Sequence, residues 1–217
     1  MCGRFSQTKT KQEVKKRFNL KKVPETIKPL FNIAPSQDIE VIFNESPEEL
    51  SFARWGLLPS WSKEEKTQYS MINARAETIT EKPTYKRLIR SKRCLVIADS
   101  FFEWKKASIQ KIPYRIMMKD EGLFAFAGIW DQWEKEGVVI KSCSIITTAP
   151  NKLVADIHDR MPVIIPQEKE QEWLKADNLE SVLGLLKAYS ESSMTAYQIS
   201  PLVNSPSNNT EEVIKAV

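Results

Sequence analysis

Between Arg93 and Thr147 the chain carries five successive apolar or alternating runs: Arg93–Ala98, Phe101–Lys105, Tyr114–Met118, Leu123–Ile129 and Val138–Thr147. Runs of this length, rich in β-branched and aromatic residues and separated by short polar breaks, read as strands. Strands this densely spaced must pair with one another, so a sheet forms the centre of the protein. Asp38–Phe43, Leu50–Leu57 and Pro162–Ile165 add three more strand signals. Helical spacing is scattered around them, at Lys9–Phe18, Pro83–Arg90, Pro150–His158, Gln167–Lys175 and Leu179–Tyr189. Pro83 fits a first helical turn, and Tyr85, Leu88 and Ile89 form a narrow apolar stripe behind it. Leu179, Val182, Leu183 and Leu186 recur at i, i+3, i+4 and i+7 and should face inward, as should Trp173 and Leu174. No linker or repeat divides the chain. The expectation is an α+β protein, one compact domain over residues 1–217, with a largely antiparallel β-barrel-like core and peripheral helices.

The charge pattern narrows the partners. Met1 to Lys22 holds eight Lys or Arg against one acid, Glu13, and Lys82 to Arg93 holds six with none. Two such clusters suit a polyanion, although solvated helix faces would carry the same charges. The longest nearly apolar stretch, Gly122–Trp130, falls far short of the roughly 18 residues a membrane span needs, so no membrane partner is expected. No apolar signal-peptide core follows Met1, which makes the cytoplasm the default location. Three cysteines without a CxxC pair and a single histidine argue against a disulfide framework or a metal site. No cofactor is expected.

Cys2 is the most informative position. If Met1 is removed, the chain begins with an amine and a thiol on adjacent carbons, with reference pKa values of about 8 and 8.5. Such a 1,2-aminothiol condenses with an aldehyde to a thiazolidine, a ring that resists hydrolysis better than an imine. A cysteine in second position can equally be incidental. His158 lies in Asp156-Ile157-His158-Asp159-Arg160-Met161-Pro162, at a polar junction between helix and strand that suits proton transfer. Glu103 sits among large aromatics in Phe101-Phe102-Glu103-Trp104. Pointing inward it would have a raised pKa and serve as a general acid or base; pointing outward it would be a solvated strand residue. Strand alternation leaves both directions open. Asn73-Ala74-Arg75-Ala76-Glu77-Thr78 reads as a loop entering a helix, either a cap or a place to orient a substrate. Trp55 and Trp61 flank a turn; Trp55 suits the core, whereas Trp61, beyond Pro59, is placed to stack on a base. Cys94 and Cys143 lie in apolar strands and should be buried.

Taken in order, Met1-Cys2-Gly3-Arg4-Phe5, Asn32-Ile33-Ala34-Pro35-Ser36-Gln37, Trp55 to Trp61, Asn73 to Thr78, Phe102-Glu103-Trp104, His158 to Pro162 and Val203-Asn204-Ser205-Pro206 resemble the signature blocks of the SOS response-associated peptidase (SRAP) family. The resemblance implies an abasic-site processing protein that binds single-stranded DNA and crosslinks through Cys2. In that case Asn73 would position the Cys2 amine, and Glu103 and His158 would handle proton transfers in lyase- or peptidase-type chemistry. Arg4, Arg75 and Arg160 match positions that touch DNA phosphates, with Lys86 where arginine is common and Phe102 where tyrosine is common. Expected alongside are single-stranded DNA containing abasic sites as the partner, a monomer, and association with the nucleoid on DNA damage. Two other readings remain open: an autopeptidase with Cys2 as N-terminal nucleophile, and a non-covalent single-strand-binding module.

Overall fold

The structure is a computed structural model and describes residues 2–65, 71–107 and 110–217. Among these described residues there are thirteen strands and five α-helices. The strands are β1 (Phe5–Gln7), β2 (Leu30–Ile33), β3 (Asp38–Phe43), β4 (Ser51–Trp55), β5 (Asn73–Arg75), β6 (Arg93–Ala98), β7 (Ser100–Lys106), β8 (Lys111–Met118), β9 (Phe124–Lys135), β10 (Val138–Thr148), β11 (Met161–Pro162), β12 (Ile164–Ile165) and β13 (Met194–Gln198). The helices are α1 (Lys11–Arg17), α2 (Pro83–Ser91), α3 (Lys152–Ala155), α4 (Glu170–Lys175) and α5 (Leu179–Gly184). No described helix is long and apolar enough to cross a membrane.

Five strands close on themselves. β4 pairs β3, β3 pairs β6, β6 pairs β9 and β9 pairs β10, all antiparallel, and β10 returns to β4 in parallel. A second sheet, in the order β13-β8-β7-β1-β2, is antiparallel throughout. The expected α+β fold with a largely antiparallel barrel is thus the one observed. Along β6 the side chains alternate between two apolar clusters. Cys94, Val96 and Ala98 join Phe5, Trp55, Phe101 and Phe126, while Leu95 and Ile97 join Leu88, Ile89, Trp173, Leu174 and Val182 from the helices. Both faces are covered, which is why the run reads as continuously apolar. Gly128 has a local reason: a Cβ there would stand 2.7 Å from the Cys94 sulfur.

Arg93, counted in the second basic cluster, is not a surface charge. Its guanidinium is buried and donates to the carbonyls of Ile89 and Arg90 at the end of α2 (3.0 and 2.7 Å) and of Trp173, Leu174 and Ala176 at the end of α4 (2.6, 3.4 and 2.6 Å). One side chain therefore satisfies the last carbonyls of two helices and sits at the negative end of both dipoles.

Several local expectations need correction. Asn73–Arg75 is a strand followed by a 3-10 turn over Ala76–Thr78, not a loop entering an α-helix, because its backbone pairs in parallel with β10. α5 stops at Gly184 rather than Tyr189, where a glycine weakens the helix. Leu186 still packs inward beyond it. The helix expected over Pro150–His158 is the single turn α3, capped by the Asn151 side chain. β1, β2 and β13 went unread.

Candidate active site

The site is assembled from four separate segments. β1 runs antiparallel to β7 with Phe5 opposite Phe101 and Ser6 opposite Ser100, and Phe102 N–H donates to the Arg4 carbonyl at 2.9 Å. That register carries the chain back along β7 and brings Cys2 beside Glu103. β5 lies parallel to β10 with Asn73 opposite Ile145, from where Asn73 Nδ2 donates to the Cys2 carbonyl at 2.8 Å. The other edge of the same strand, at Thr148, pairs with Met161, so β10 also anchors the segment that carries His158. His158 Nε2 stands 3.8 Å from Glu103 Oε2. Cys2, Asn73, Glu103 and His158 are thus brought together.

Burial sets the electrostatics. The direction of Glu103, open from sequence, is inward: the residue is 2% exposed, and burial raises its carboxyl from 4.5 to about 7. Phe102, on the opposite side of β7, is also buried, against Ile199, Val203 and Val213. Cys2 is fully buried, and desolvation, reinforced by the Glu103 charge, pushes its thiol far up, so at neutral pH it is a thiol and not a thiolate. Burial lowers His158, against the pull of Asp159, whose carboxylate lies 3.0 Å from Nδ1. Near pH 7 the site therefore holds a half-ionised carboxyl beside a neutral imidazole, a pair able to give and take protons. Asn73 Oδ1 is buried and has no hydrogen-bond partner among the described residues. It is an acceptor available to an incoming N–H.

A cleft of about 590 Å³ opens onto this pair, lined by Glu103, Trp104, Lys106, Lys111, His158 and Asn204. Sequence reading assigned no role to Trp104, Lys106, Lys111 or Asn204. Lys106 and Lys111 face each other across the β7–β8 ladder, and the indole of Trp104 donates to Asn204 Oδ1 at 2.7 Å. Their signal was faint, since the two lysines fall in neither basic cluster.

The residues expected to touch DNA divide into two groups. Arg75, Lys86 and Trp61 are exposed, Trp61 at 69%. Arg4 and Arg160 are committed internally. Arg4 donates to Asn32 Oδ1 and the Val203 carbonyl (2.8 and 2.6 Å), and Arg160 forms a two-pronged pair with Glu77 (2.7 and 2.9 Å) and donates to the Thr147 carbonyl at 2.6 Å. Trp55 is in the core, its indole N–H bonded to the Ile72 carbonyl at 3.0 Å, and Cys94 and Cys143 are buried free thiols.

The chain is similar to several known proteins. The chain is 48% identical to the abasic site processing protein YoqW of Bacillus subtilis, over 100% of both sequences. It is 30% identical to the abasic site processing protein HMCES of Xenopus tropicalis, over 100% of this chain and 78% of that protein. A crystal structure of a protein from Bacteroides thetaiotaomicron superposes with a TM-score of 0.91 at 31% identity, covering 100% of each chain. Residues 1–206 match the SOS response associated peptidase (SRAP) family, and the chain belongs to that family.

Proposed function

We propose that the protein processes abasic sites in single-stranded DNA, capturing the ring-opened sugar as a thiazolidine on Cys2 once Met1 has been removed. The observation that carries this reading is the meeting of Cys2, Asn73, Glu103 and His158, with Glu103 and His158 opening onto a cleft. The names of the relatives, abasic site processing proteins, support the lesion as substrate.

The freed Cys2 amine adds to the C1′ aldehyde, and the carbinolamine loses water to give an imine. The Cys2 sulfur then bonds to the imine carbon, and the thiol proton ends on nitrogen. One water leaves overall, and no oxidant or reductant is needed. Glu103, poised near 7 by burial, can protonate the departing hydroxyl. The same carboxylate is the neighbouring base for the thiol, which burial keeps protonated. Neutral His158 accepts and returns protons from the cleft side. Asn73 holds the Cys2 carbonyl and so orients the α-carbon from which amine and thiol diverge. For the strand itself, Arg75, Lys86 and Trp61 are exposed for contact, whereas Arg4 and Arg160 would have to exchange internal partners for a phosphate.

The test is incubation with single-stranded DNA bearing one abasic site, without borohydride. A heat-stable, detergent-resistant adduct is expected, absent with undamaged DNA and lost in Cys2→Ser. An adduct seen only after borohydride reduction would mean a transient Schiff base and refute the thiazolidine. Binding with no adduct of either kind would leave a non-covalent single-strand binder.

A further inference from the structure

Glu77 lies in the 3-10 turn just after β5, and Arg160 lies two residues after His158. The Arg160 guanidinium passes both of its terminal nitrogens to Glu77 and reaches the carbonyl and hydroxyl of Thr147 (2.6 and 3.3 Å). Thr147 is itself opposite Arg75 of β5 on one side and Pro162 of β11 on the other. The ion pair therefore bridges the two strands that flank β10, one leading from Asn73 and the other continuing the His158 segment. Arg160 N–H donates to His158 Nδ1 at 3.1 Å, which couples the imidazole to the same anchor. The Arg160 side chain is only 14% exposed while that of Glu77 is 47% exposed, and the hydrogen bonds from Arg160 hold the Glu77 carboxyl below the usual range. A two-pronged pair of this kind fixes geometry as well as charge.

We propose that Glu77 is a positioning residue: through Arg160 it holds the segment carrying His158 against the strand carrying Asn73, so that both side chains meet Cys2 in one arrangement. The inference rests on the abasic-site reading for its chemistry but not for its geometry. It also assigns the Arg160 fork a task inside the protein, one that a simple phosphate contact does not include.

The single histidine makes the test direct, because every imidazole resonance belongs to His158. Glu77→Gln keeps the size and one acceptor but loses the charge and one prong; Glu77→Asp keeps the charge on a shorter arm. In the free protein, NMR titration should place His158 below 6.5 in the wild type, because burial, helped by the Lys106 charge, outweighs the pull of Asp159, with the Glu103 carboxyl 3.8 Å from Nε2. The value should return toward 6.5 in Glu77→Gln as the ring loosens into water, and fall between the two in Glu77→Asp. Single-turnover adduct formation should slow about ten- to a hundredfold in Glu77→Gln, with partial recovery in Glu77→Asp. Affinity for undamaged single-stranded DNA should hold or rise slightly, since the substitution removes a carboxylate beside Arg160 and takes away no cation. An unchanged rate in Glu77→Gln overturns the proposal. So does a slower rate with an unaltered His158 titration, which would exclude the route through the imidazole. Tighter DNA binding with an equal or faster rate would make Glu77 a placeholder that a phosphate displaces, and likewise overturn it. If the wild type itself forms no adduct, the abasic-site reading fails, while the titration still decides whether Glu77 positions His158.

Discussion

Glu40 offers a way to measure how much this fold gives up to bury an acid away from its active site. The residue sits on β3, 6% exposed, and its carboxylate accepts from Gln7 Nε2 at 2.8 Å. Desolvation raises its carboxyl from 4.5 to about 7, the Gln7 bond opposing only in part. Between those two values the native state holds a proton that the unfolded chain releases, so stability falls as pH rises through that window and levels off above it. At 1.36 kcal/mol for each pH unit by which the two proton affinities differ, the penalty in place by pH 8 is about 3 kcal/mol. Glu40→Gln removes the charge and keeps an oxygen for Gln7 to donate to. Urea unfolding of variant and wild type, from pH 4.5 to 8.5, should show nearly equal stability at the acid end. The variant should gain up to about 3 kcal/mol at the alkaline end. Glu103 titrates in the same range and bends both curves alike, which is why the difference between them is the quantity to read. A difference that stays flat across the range would refute the argument, because it would mean that Glu40 binds its proton no more tightly in the fold than out of it.

Three other substitutions test two separate parts of the molecule. Glu103→Gln and His158→Ala should slow single-turnover crosslinking or its reversal by about 10² to 10⁴ while DNA affinity holds, with the wild-type rate bending near pH 7 as Glu103 ionises and that bend lost in Glu103→Gln; wild-type rates in both directions would remove both residues from the chemistry. Arg93→Met, which strips five carbonyls at two helix ends of their donor, three of those hydrogen bonds being fully buried, should cost about 3–5 kcal/mol in urea unfolding, and a loss under about 1 kcal/mol would mean the carbonyls find water.

The barrel was legible because its strands are long and apolar; β6 has the bounds its sequence suggests, and β3 does too. What escaped was short or lacked a period. β1 is Phe-Ser-Gln with all three side chains buried, since it lies inside a sheet with neighbours on both sides. A polar strand of that kind, with Ser6 bonded to Asp99 and Ser100, carries no apolar alternation to read. Asn73–Arg75 looked like a loop because its strand character comes wholly from β10, more than sixty residues away. The candidate site residues were named from motifs, yet their meeting depends on register, which no local pattern encodes. The direction of Glu103 is the clearest case: alternation sets it opposite Phe102, and burial of both leaves hydrophobicity unable to tell in from out.

The placement of β1 also imposes an order of events during synthesis. Its two partners are β2, which ends at Ile33, and β7, which begins at Ser100. Until β7 has emerged, only β2 can hold the start of the chain, and the position in which Cys2 is sealed from solvent is incomplete. At about 5–20 residues per second, the wait between making β1 and making β7 is roughly 5 to 20 s. For that interval the segment leading back to Cys2 has only one of its two neighbouring strands, and Cys2 is covered once the second sheet zips up.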